Sequence, residues 1–302
     1  MIRKIASRVT ESSPYGIISA MARLGINQYG KAETHLVRVV RDGTAHDVRD
    51  LLVSVTLSGA LEAVHLKGDN SAVLATDTQK NTVYAFAREH GVGTPEAFAS
   101  LLARHFVGGA ITRARVEVRE VAWTRLSDHA FTQSSSEQRV AVVIAGVEDT
   151  WHVSGLSGLV VLKTTDSEFH GFPRDRYTTL QETSDRVLAT EVAARWRHDG
   201  SADFATARGA LLECFAAHHS LSLQQTLYAM GSAVLDACPG VAEIRLSMPN
   251  KHHFAVDLSP FGLENPNEVF HADDRPYGLI EGAVVRDGAP DAGPVWDPYP
   301  LI

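Results

Sequence analysis

The sequence predicts an α+β fold made of two ββααββ units that follow one another along the chain. Segments in which apolar and polar residues alternate, as they do in half-buried strands, occur in pairs. Two segments with apolar residues at helical spacing separate one pair of strands from the next. This order occurs twice, and a chain of 302 residues is long enough to form two cores of medium size.

The first half of the chain contains two predicted strands, two helices and two further strands. The segments are, in order, THLVRVVRDG (34–43), LLVSVTLSGA (51–60), KNTVYAFAREHG (80–91), TPEAFASLLARHF (94–106), ITRARVEVREVAW (111–123) and EQRVAVVIAGVE (137–148). Gly91 is the predicted stop of the first helix, because glycine readily adopts the conformation that follows a helix. Thr94 is the predicted N-cap of the second helix and Pro95 its first residue.

The second half repeats this topology without an obvious repeat in sequence. Its segments are SGLVVLKTT (157–165), DRVLATEVAARW (185–196), DFATARGALLECFAAHH (203–219), LQQTLYAMGSAVLDA (223–237), AEIRLSM (242–248) and KHHFAVDL (251–258). The last helix places Leu223, Leu227, Met230 and Val234 along one face, as an amphipathic helix does. This half is therefore also predicted to be ββααββ.

The two units together predict an antiparallel sheet of about eight strands with four helices on one face. The segments LVVL (159–162) and VAVVIAGV (140–147) are apolar on both faces of a strand, so the second face must also be buried, which predicts an oligomer. We divide the chain into an N-terminal extension (1–26), a first domain (27–150), a second domain (151–286) and a C-terminal tail (287–302). The tail is rich in Pro, Gly and Asp, which disfavours regular structure.

The bulk composition excludes several classes of protein. A net charge of −8 and a pI of about 5.9 give no basic field to hold a nucleic acid backbone. The apolar runs are far shorter than the roughly 20 residues that span a bilayer, so we expect no membrane insertion. Cys214 and Cys238 are the two cysteines, too few for a disulfide framework, and they indicate a reducing compartment. An inter-subunit disulfide stays open.

No familiar cofactor or nucleotide signature is present: the sequence lacks GxGxxG, P-loop, HExxH, CxxC and GxSxG motifs. The first informative segment is VLATDTQKNT (73–82), where an apolar strand is predicted to end at Thr76 and Asp77. Both could simply cap the following helix. A threonine hydroxyl becomes a useful base only beside an amine or imidazole that takes its proton, so chemistry here would need Lys31, otherwise a surface lysine, next to Thr76.

The loop FHGFPRDRYTTLQETSDR (169–186) contains aromatic, basic and acidic side chains, and Pro173 prevents a continuous helix. Arg186 lies where this loop becomes a strand, and its guanidinium could bind a flat polar ligand bidentately. Phe169 could stack on such a ligand. A loop held together by Arg/Asp pairs explains the same residues equally well.

The segment SLQQT (222–226) matches the capping box S-x-x-Q, with Ser222 as N-cap. Leu223 and Gln224 are then in the first turn of a helix, where free N–H groups can bind an anion or a carbonyl oxygen. An ordinary capped helix is the simpler interpretation.

The segment SMPNKHHFAVDL (247–258) places two histidines side by side. In a strand, Asn250, His252 and Phe254 share one face, while His253 lies on the other. The two histidines therefore point apart and cannot bind one metal together, and we predict no metal site. His252 and Asn250 are a plausible pair on the wall of a site, or His252 is a structural histidine.

Taken together, several motifs resemble those of the urate oxidase (uricase) family, and the similarity extends from about residue 27 to about residue 284. They occur in the family's order: YGK, ATD-x-x-KNT, F-x-GF-x-RD-x-YTTL-x-ET-x-DR-x-L-x-T, Q-x-T-x-Y, PN-KH, NPNEVF and DRPYGLIE. The resemblance implies the tunnelling fold (T-fold), in which tandem ββααββ domains assemble as a homotetramer around a barrel-like tunnel. It implies oxidation of urate by O2 and water to 5-hydroxyisourate and hydrogen peroxide, without metal or organic cofactor, at subunit interfaces.

The resemblance also implies a role for individual residues. Lys31, Thr76 and His252 match the family's proton relay. The residues that match its substrate-binding positions, besides Thr76, are Asp77, Phe169, Arg186, Leu223, Gln224 and Asn250. Leu223 stands where the family often has valine and uses the backbone N–H, and Asn250 matches the amide over the oxygen and water site. The chain ends in PLI and not in an SKL-type peroxisomal signal, so we expect a cytoplasmic, bacterial enzyme.

Two alternatives remain at this point. One is a T-fold enzyme that acts on pterins or other purine-like rings, which would normally need a cluster of metal-binding histidines or a glutamate that anchors the ring. The other is a catalytically silent purine-binding T-fold oligomer.

Overall fold

A computed structural model of the chain describes residues 22–133 and 135–300. The predicted N-terminal extension lies outside the described residues up to residue 21, as do the last two residues of the tail. The strands are β1 Tyr29–Val40, β2 Asp47–Gly59, β3 Ile111–Val121, β4 Thr124–Arg125, β5 Phe131–Thr132, β6 Gln138–Gly146, β7 Thr150–Lys163, β8 Leu188–His198, β9 Val241–Ala255, β10 Phe270–Asp273 and β11 Leu279–Val285.

The helices are α1 Glu62–Lys67, α2 Thr76–Glu89, α3 Pro95–Phe106, α4 Phe204–Ala217 and α5 Leu223–Ala237, with 3-10 turns at Ser259–Phe261 and Gly293–Trp296. Thr94 is the N-cap of α3 as predicted, since its side chain accepts a hydrogen bond from the N–H of Ala97 at 3.2 Å. Helix α5 has the predicted bounds. None of the helices in the described part of the chain is long and apolar enough to cross a membrane.

Nine strands form one antiparallel sheet in the order β1-β2-β3-β6-β7-β8-β9. Strand β9 pairs along its first part with β11 and along its last part with β10. The short strands β4 and β5 form a separate hairpin. Helices α2 and α3 pack on the first half of the sheet, and α4 and α5 pack on the second half. The predicted α+β class with an antiparallel sheet and helices on one face is confirmed, as is the order of the two pairs of helices.

Two predictions about the elements are wrong. AEIRLSM and KHHFAVDL are not separate strands but parts of β9, which continues through Pro249. Proline has no backbone N–H to donate to a neighbouring strand, and the ladder between β9 and β8 omits this position. On its other side, Pro249 pairs with Leu279 of β11. The last strand of the second half is therefore β11. Thr76 and Asp77 do not end a strand either: Thr76 is the first residue of α2, after an irregular segment.

Two cores lie on the helical face of the sheet, one for each half. In the first, β1, β2 and β3 pack against α2 and α3 around Leu51, Phe98 and Leu102. In the second, β7, β8 and β9 pack against α4 and α5 around Trp196 and Met230. Cys238 is buried in the second core, and both cysteines are free thiols. Each half of the sheet thus holds its own helices by burying apolar surface, the main favourable term in folding.

A third, smaller core lies on the opposite, helix-free face. Val140, Val142, Ile144 and Val153 project there from β6 and β7. The C-terminal segment, residues 286–300, covers them with Val295 and Trp296. The apolar residues of β6 are thus buried by the chain itself, and they give no reason to expect a partner subunit.

The C-terminal segment is held to the sheet along its length. The Arg286 guanidinium donates hydrogen bonds to the carbonyls of Val241 at 2.9 Å and of Leu235 and Cys238. The guanidinium of Arg245 lies over the Trp296 ring and that of Arg115 over the Tyr299 ring, both at 4.1 Å from the ring centroid. The segment has little regular structure, as predicted for the tail, yet it is packed and not free.

Candidate active site

The first group of candidate residues lies where β1 meets the beginning of α2. Lys31 is on β1, two residues after Tyr29, and Gly30 between them is required by contact: a Cβ there would lie 1.8 Å from the carbonyl oxygen of Val55 on β2. Thr76 and Asp77 form the first turn of α2, where N–H groups have no partner within the helix. The side chain of neither Thr76 nor the N-cap Ala75 caps the helix, so the capping interpretation of Thr76 is wrong.

The Asp77 carboxylate is engaged within its own helix. It accepts hydrogen bonds from the Lys80 ammonium at 2.6 Å and from the Asn81 amide at 2.9 Å. The hydrogen bond and charge of Lys80 are the main reasons why the pKa of Asp77 is lowered, and the charge of Lys31 contributes to the same shift. Lys31 is therefore near this helix end, and the backbone N–H of Asp77, in the first turn of α2, has no partner within the helix.

The second group is built on three short segments that pair side by side. Phe169 and Thr183 exchange backbone hydrogen bonds of 2.8 and 3.1 Å, and the N–H of Arg186 donates to Ser167 at 2.8 Å. On the other side, Ser167 bridges to Ser220, just before α5. The loop that carries Phe169 is thus fixed between the beginning of β8 and the beginning of α5.

Arg186 and Phe169 face each other across this small ladder. The Arg186 guanidinium lies 5.2 Å from the centroid of the Phe169 ring, and its Nε donates to the Ser167 hydroxyl at 3.2 Å. Burial lowers the pKa of Arg186, although an arginine remains charged in proteins. Among the described residues no carboxylate bonds the Arg186 guanidinium, so an Arg/Asp pair does not involve Arg186, and its role in binding a ligand stays a prediction.

The N-terminus of α5 adjoins this pair. The Ser222 hydroxyl accepts from the N–H of Gln225 at 3.1 Å, which confirms Ser222 as the N-cap. The Gln225 side chain turns back to the N–H of Leu221 at 2.8 Å, one residue earlier than in the standard capping box. Leu223 and Gln224 are the first two helical residues, so their N–H groups have no partner within the helix and attract negative charge.

Asn250 and His252 are on β9, beside the beginning of β8. The N–H of Asn250 donates to the carbonyl of Gly278 at 2.9 Å, and Asn250 is paired with Thr190 of β8. The His252 ring stacks on Phe254 at 5.4 Å, as expected for residues on one face of a strand, whereas the His253 ring bonds the Lys251 carbonyl at 3.0 Å. The two histidines point apart, as predicted.

One copy of the chain does not bring the two groups together. Lys31 and Thr76 lie at the β1 edge, and Asn250 and His252 lie on β9, with five strands between β1 and β9. Six strand spacings of about 4.8 Å correspond to roughly 29 Å along the sheet. Throughout the described ranges, no hydrogen bond, ion pair or ring contact joins the two groups.

Comparison with known proteins places this arrangement in a family. A sequence model described as Uricase matches residues 27–144 and 152–281, most of the chain. The chain belongs to the uricase family. It is 54% identical over 282 residues to the uricase of Arthrobacter globiformis, covering 90% of this chain and 93% of that one, and 38% identical to the uricase of Dictyostelium discoideum, covering 88% and 98%.

Solved uricase structures have the same fold. A crystal structure of the Arthrobacter globiformis uricase superposes with a TM-score of 0.88 at 52% identity, covering 92% of this chain and all of that one. A urate oxidase from Bacillus sp. TB-90 superposes with a TM-score of 0.76 at 23% identity, covering 86% and 100%, which shows the fold alone. The resemblance to uricases and the T-fold are therefore confirmed.

Reasoning from the sequence missed two residues of this chain that support the site. Ser167 is fully buried and bonds Arg186, and the Tyr29 hydroxyl bonds the backbone two residues before Thr76. Tyr29 is part of the YGK motif, which was a signal that it matters. Its partner is 45 residues away in sequence, so the contact itself could not be predicted.

Proposed function

We propose that the chain oxidises urate with O2 and water to 5-hydroxyisourate and hydrogen peroxide through a relay of Lys31, Thr76 and His252. Membership of the uricase family supports the coarser statement, that the chain is an oxidoreductase acting on urate with O2. The observation that carries the proposal is the convergence of Phe169, Arg186 and the N-terminus of α5 on one wall.

This wall suits a flat, anionic, oxygen-rich ring. The Phe169 face offers a stacking surface, and Arg186 offers two parallel N–H groups to adjacent acceptors on the ring edge. The Gln224 amide and the N–H of Leu223 add polar contacts, and the positive end of the α5 dipole favours the anion. Urate, a planar purine trione that loses protons readily, satisfies each of these contacts.

The proposed chemistry removes protons from urate and passes its electrons to O2. The Thr76 hydroxyl takes a proton from urate and gives its own to the Lys31 amine, and His252 continues the relay at the other end of the site. Urate loses two electrons, O2 gains two and becomes hydrogen peroxide, and water supplies the hydroxyl group on the purine carbon. Asn250 lies over the position of O2 and water. A urate dianion is electron-rich enough to reduce O2 directly, so we propose no cofactor.

We further propose that each site is completed by two copies of the chain. The β1 edge of one copy, with Lys31, Thr76 and Asp77, would lie against the β8–β9 side of another. The 29 Å or so between the two groups in one sheet supports this. A contact between different surfaces of two copies forms a ring when the rotation between copies closes, and we propose such a ring in a homotetramer around a tunnel, with 27–150 and 151–286 as the two domains. Val160 and Leu162, 53% and 50% exposed on β7, provide apolar surface for assembly.

The test is to mix chelator-treated protein with urate and to follow urate absorbance, O2 consumption and peroxide. We expect all three to change in equal molar amounts without added metal. Lys31→Met and Thr76→Ala should each lower kcat by about 10²- to 10⁴-fold, the usual range for lost acid–base catalysis. Urate binding without O2 consumption would support the silent purine-binding alternative, and activity that requires added metal would contradict the cofactor-free chemistry. The cytoplasmic location stays a prediction, which cell fractionation would test.

A further inference from the structure

The Tyr29 hydroxyl holds both backbone groups of one residue. It donates a hydrogen bond to the carbonyl of Leu74 at 3.2 Å and accepts one from the N–H of Leu74 at 3.0 Å. The buried side chain of Gln79 donates to the same carbonyl at 3.2 Å. The ring of Tyr29 packs, together with Leu74, at the margin of the first core. A phenol that binds N–H and C=O of one residue restrains both the position and the orientation of that residue.

These bonds connect the strand that carries Lys31 to the segment that leads into Thr76. Tyr29 and Lys31 are two residues apart on β1 and share one face of the strand. Leu74 is two residues before Thr76, in the irregular segment 68–75 between α1 and α2. Among the described residues, the two Tyr29–Leu74 hydrogen bonds are the hydrogen bonds that join this segment to β1. Without them, no hydrogen bond would hold this segment, just before Thr76, against the strand that carries Lys31.

We propose that Tyr29 is a positioning residue that holds Thr76 at the distance from Lys31 at which a proton can pass between them. This inference rests on the proposed relay. It also explains the YGK motif as a unit: Tyr29 anchors Leu74, Gly30 permits the close approach to Val55, and Lys31 carries the amine. Proton transfer requires hydrogen-bond reach, and a misplacement of about 1 Å can cost 10²-fold in rate.

The chemistry of the phenol suits this task. Burial raises the pKa of Tyr29 and outweighs the opposing effect of the Leu74 hydrogen bond. The hydroxyl therefore keeps its proton over the neutral and mildly alkaline range, and it can donate and accept at once. A deprotonated oxygen could not donate to the Leu74 carbonyl.

The test compares Tyr29→Phe with the matched control Tyr84→Phe. Tyr84 also joins α2 to β1 through its hydroxyl, which donates to the carbonyl of His35 at 3.2 Å, but its bond is farther along both elements. We expect Tyr29→Phe to lower kcat for urate by about 10- to 100-fold. KM should change less than kcat, because the stacking and guanidinium contacts proposed for Phe169 and Arg186 belong to the other group. Tyr84→Phe should retain the kcat of the natural chain. In a Thr76→Ala background, Tyr29→Phe should have no further effect, whereas a general structural role would lower kcat again.

A second measurement does not depend on urate. Hydrogen–deuterium exchange of a peptide covering residues 68–78 should become faster in Tyr29→Phe, because the Leu74 amide loses its acceptor, and stay unchanged in Tyr84→Phe. Unchanged exchange, faster exchange with an unchanged kcat, or an undiminished effect in the Thr76→Ala background would each overturn the proposal. If the natural chain does not consume urate, the proposed function fails and the positioning role falls with it, which is a distinct result from a failure of Tyr29 alone.

Discussion

If each site is shared between two copies, two inactive variants should restore activity to each other. Lys31→Met disables the β1 edge of its own copy and leaves the Phe169–Arg186 wall intact, and Arg186→Ala does the reverse. In an oligomer assembled from both, an Arg186→Ala copy can present an intact β1 edge to an intact wall on a Lys31→Met copy. Such a site contains every residue of the proposed machinery.

The size of the effect follows from random assembly. With equal amounts of both variants, half of the β1 edges and half of the walls are intact, so about one quarter of the sites are complete. Lys31→Met alone should lose about 10²- to 10⁴-fold in kcat. Arg186→Ala alone loses at least one hydrogen bond to a charged group, worth about 1.5–3 kcal/mol, which corresponds to roughly 10- to 150-fold in affinity for urate. At low urate concentration the mixture should therefore exceed Lys31→Met by about 25-fold or more and Arg186→Ala by about 2.5- to 40-fold.

The assay is the loss of urate absorbance by the coexpressed, copurified variants. The matched control is coexpression of Lys31→Met with Thr76→Ala, both at the β1 edge, where no assembly contains a complete edge and activity should stay at the level of the parents. Equal activity of the first mixture and its parents would refute a site shared between copies. Recovery in the control would show instead that Lys31 and Thr76 act from different copies.

Two further predictions concern stability. Trp296→Ala should lower the free energy of unfolding by about 2–4 kcal/mol, because it uncovers the third core and removes the contact with Arg245. Chemical denaturation measures this change. The control Leu126→Ala, at a side chain that is 66% exposed, should show no comparable loss. Burial lowers the pKa of His198 to about 4, so the unfolded chain binds the proton more tightly than the folded one. Stability should therefore be complete above about pH 6.5 and decrease as the pH falls toward 4, by at most roughly 3 kcal/mol. His198→Gln should flatten this pH dependence in thermal unfolding; an unchanged slope would contradict the assignment to His198.

The sequence contained enough information for most of the fold. Alternation and helical spacing are local patterns, and Thr94, Pro95 and Ser222 mark helix starts by chemistry that acts within a few residues. The misplaced elements are those that depend on distant partners. β9 continues through Pro249 because β11 pairs with it there, and a proline in isolation indicates a break.

In the candidate site too, the features set by nearby residues could be predicted and those set by distant partners could not. The role of Ser222 as N-cap and the opposite directions of the His252 and His253 side chains could be predicted, because each depends on residues that are close in sequence. The contact of Arg186 with Phe169 was only one of two equal interpretations, since residues 170–185 lie between them. The Tyr29–Leu74 bonds could not be predicted, because topology alone brings those residues together. The joint role predicted for Lys31, Thr76 and His252 came from the resemblance to uricases and not from local chemistry.

The C-terminal segment has a consequence for synthesis of the chain. Val295 and Trp296 cover apolar residues of β6 and β7 that end at Val153, so the ribosome adds 143 residues, 154–296, after the last of these strand residues before Trp296 is made. At about 5–20 residues per second, the ribosome needs roughly 7 to 29 seconds to make that interval. During this time the helix-free face of β6 and β7 lacks the cover of Val295 and Trp296, and its apolar residues are open to aggregation or to capture by chaperones.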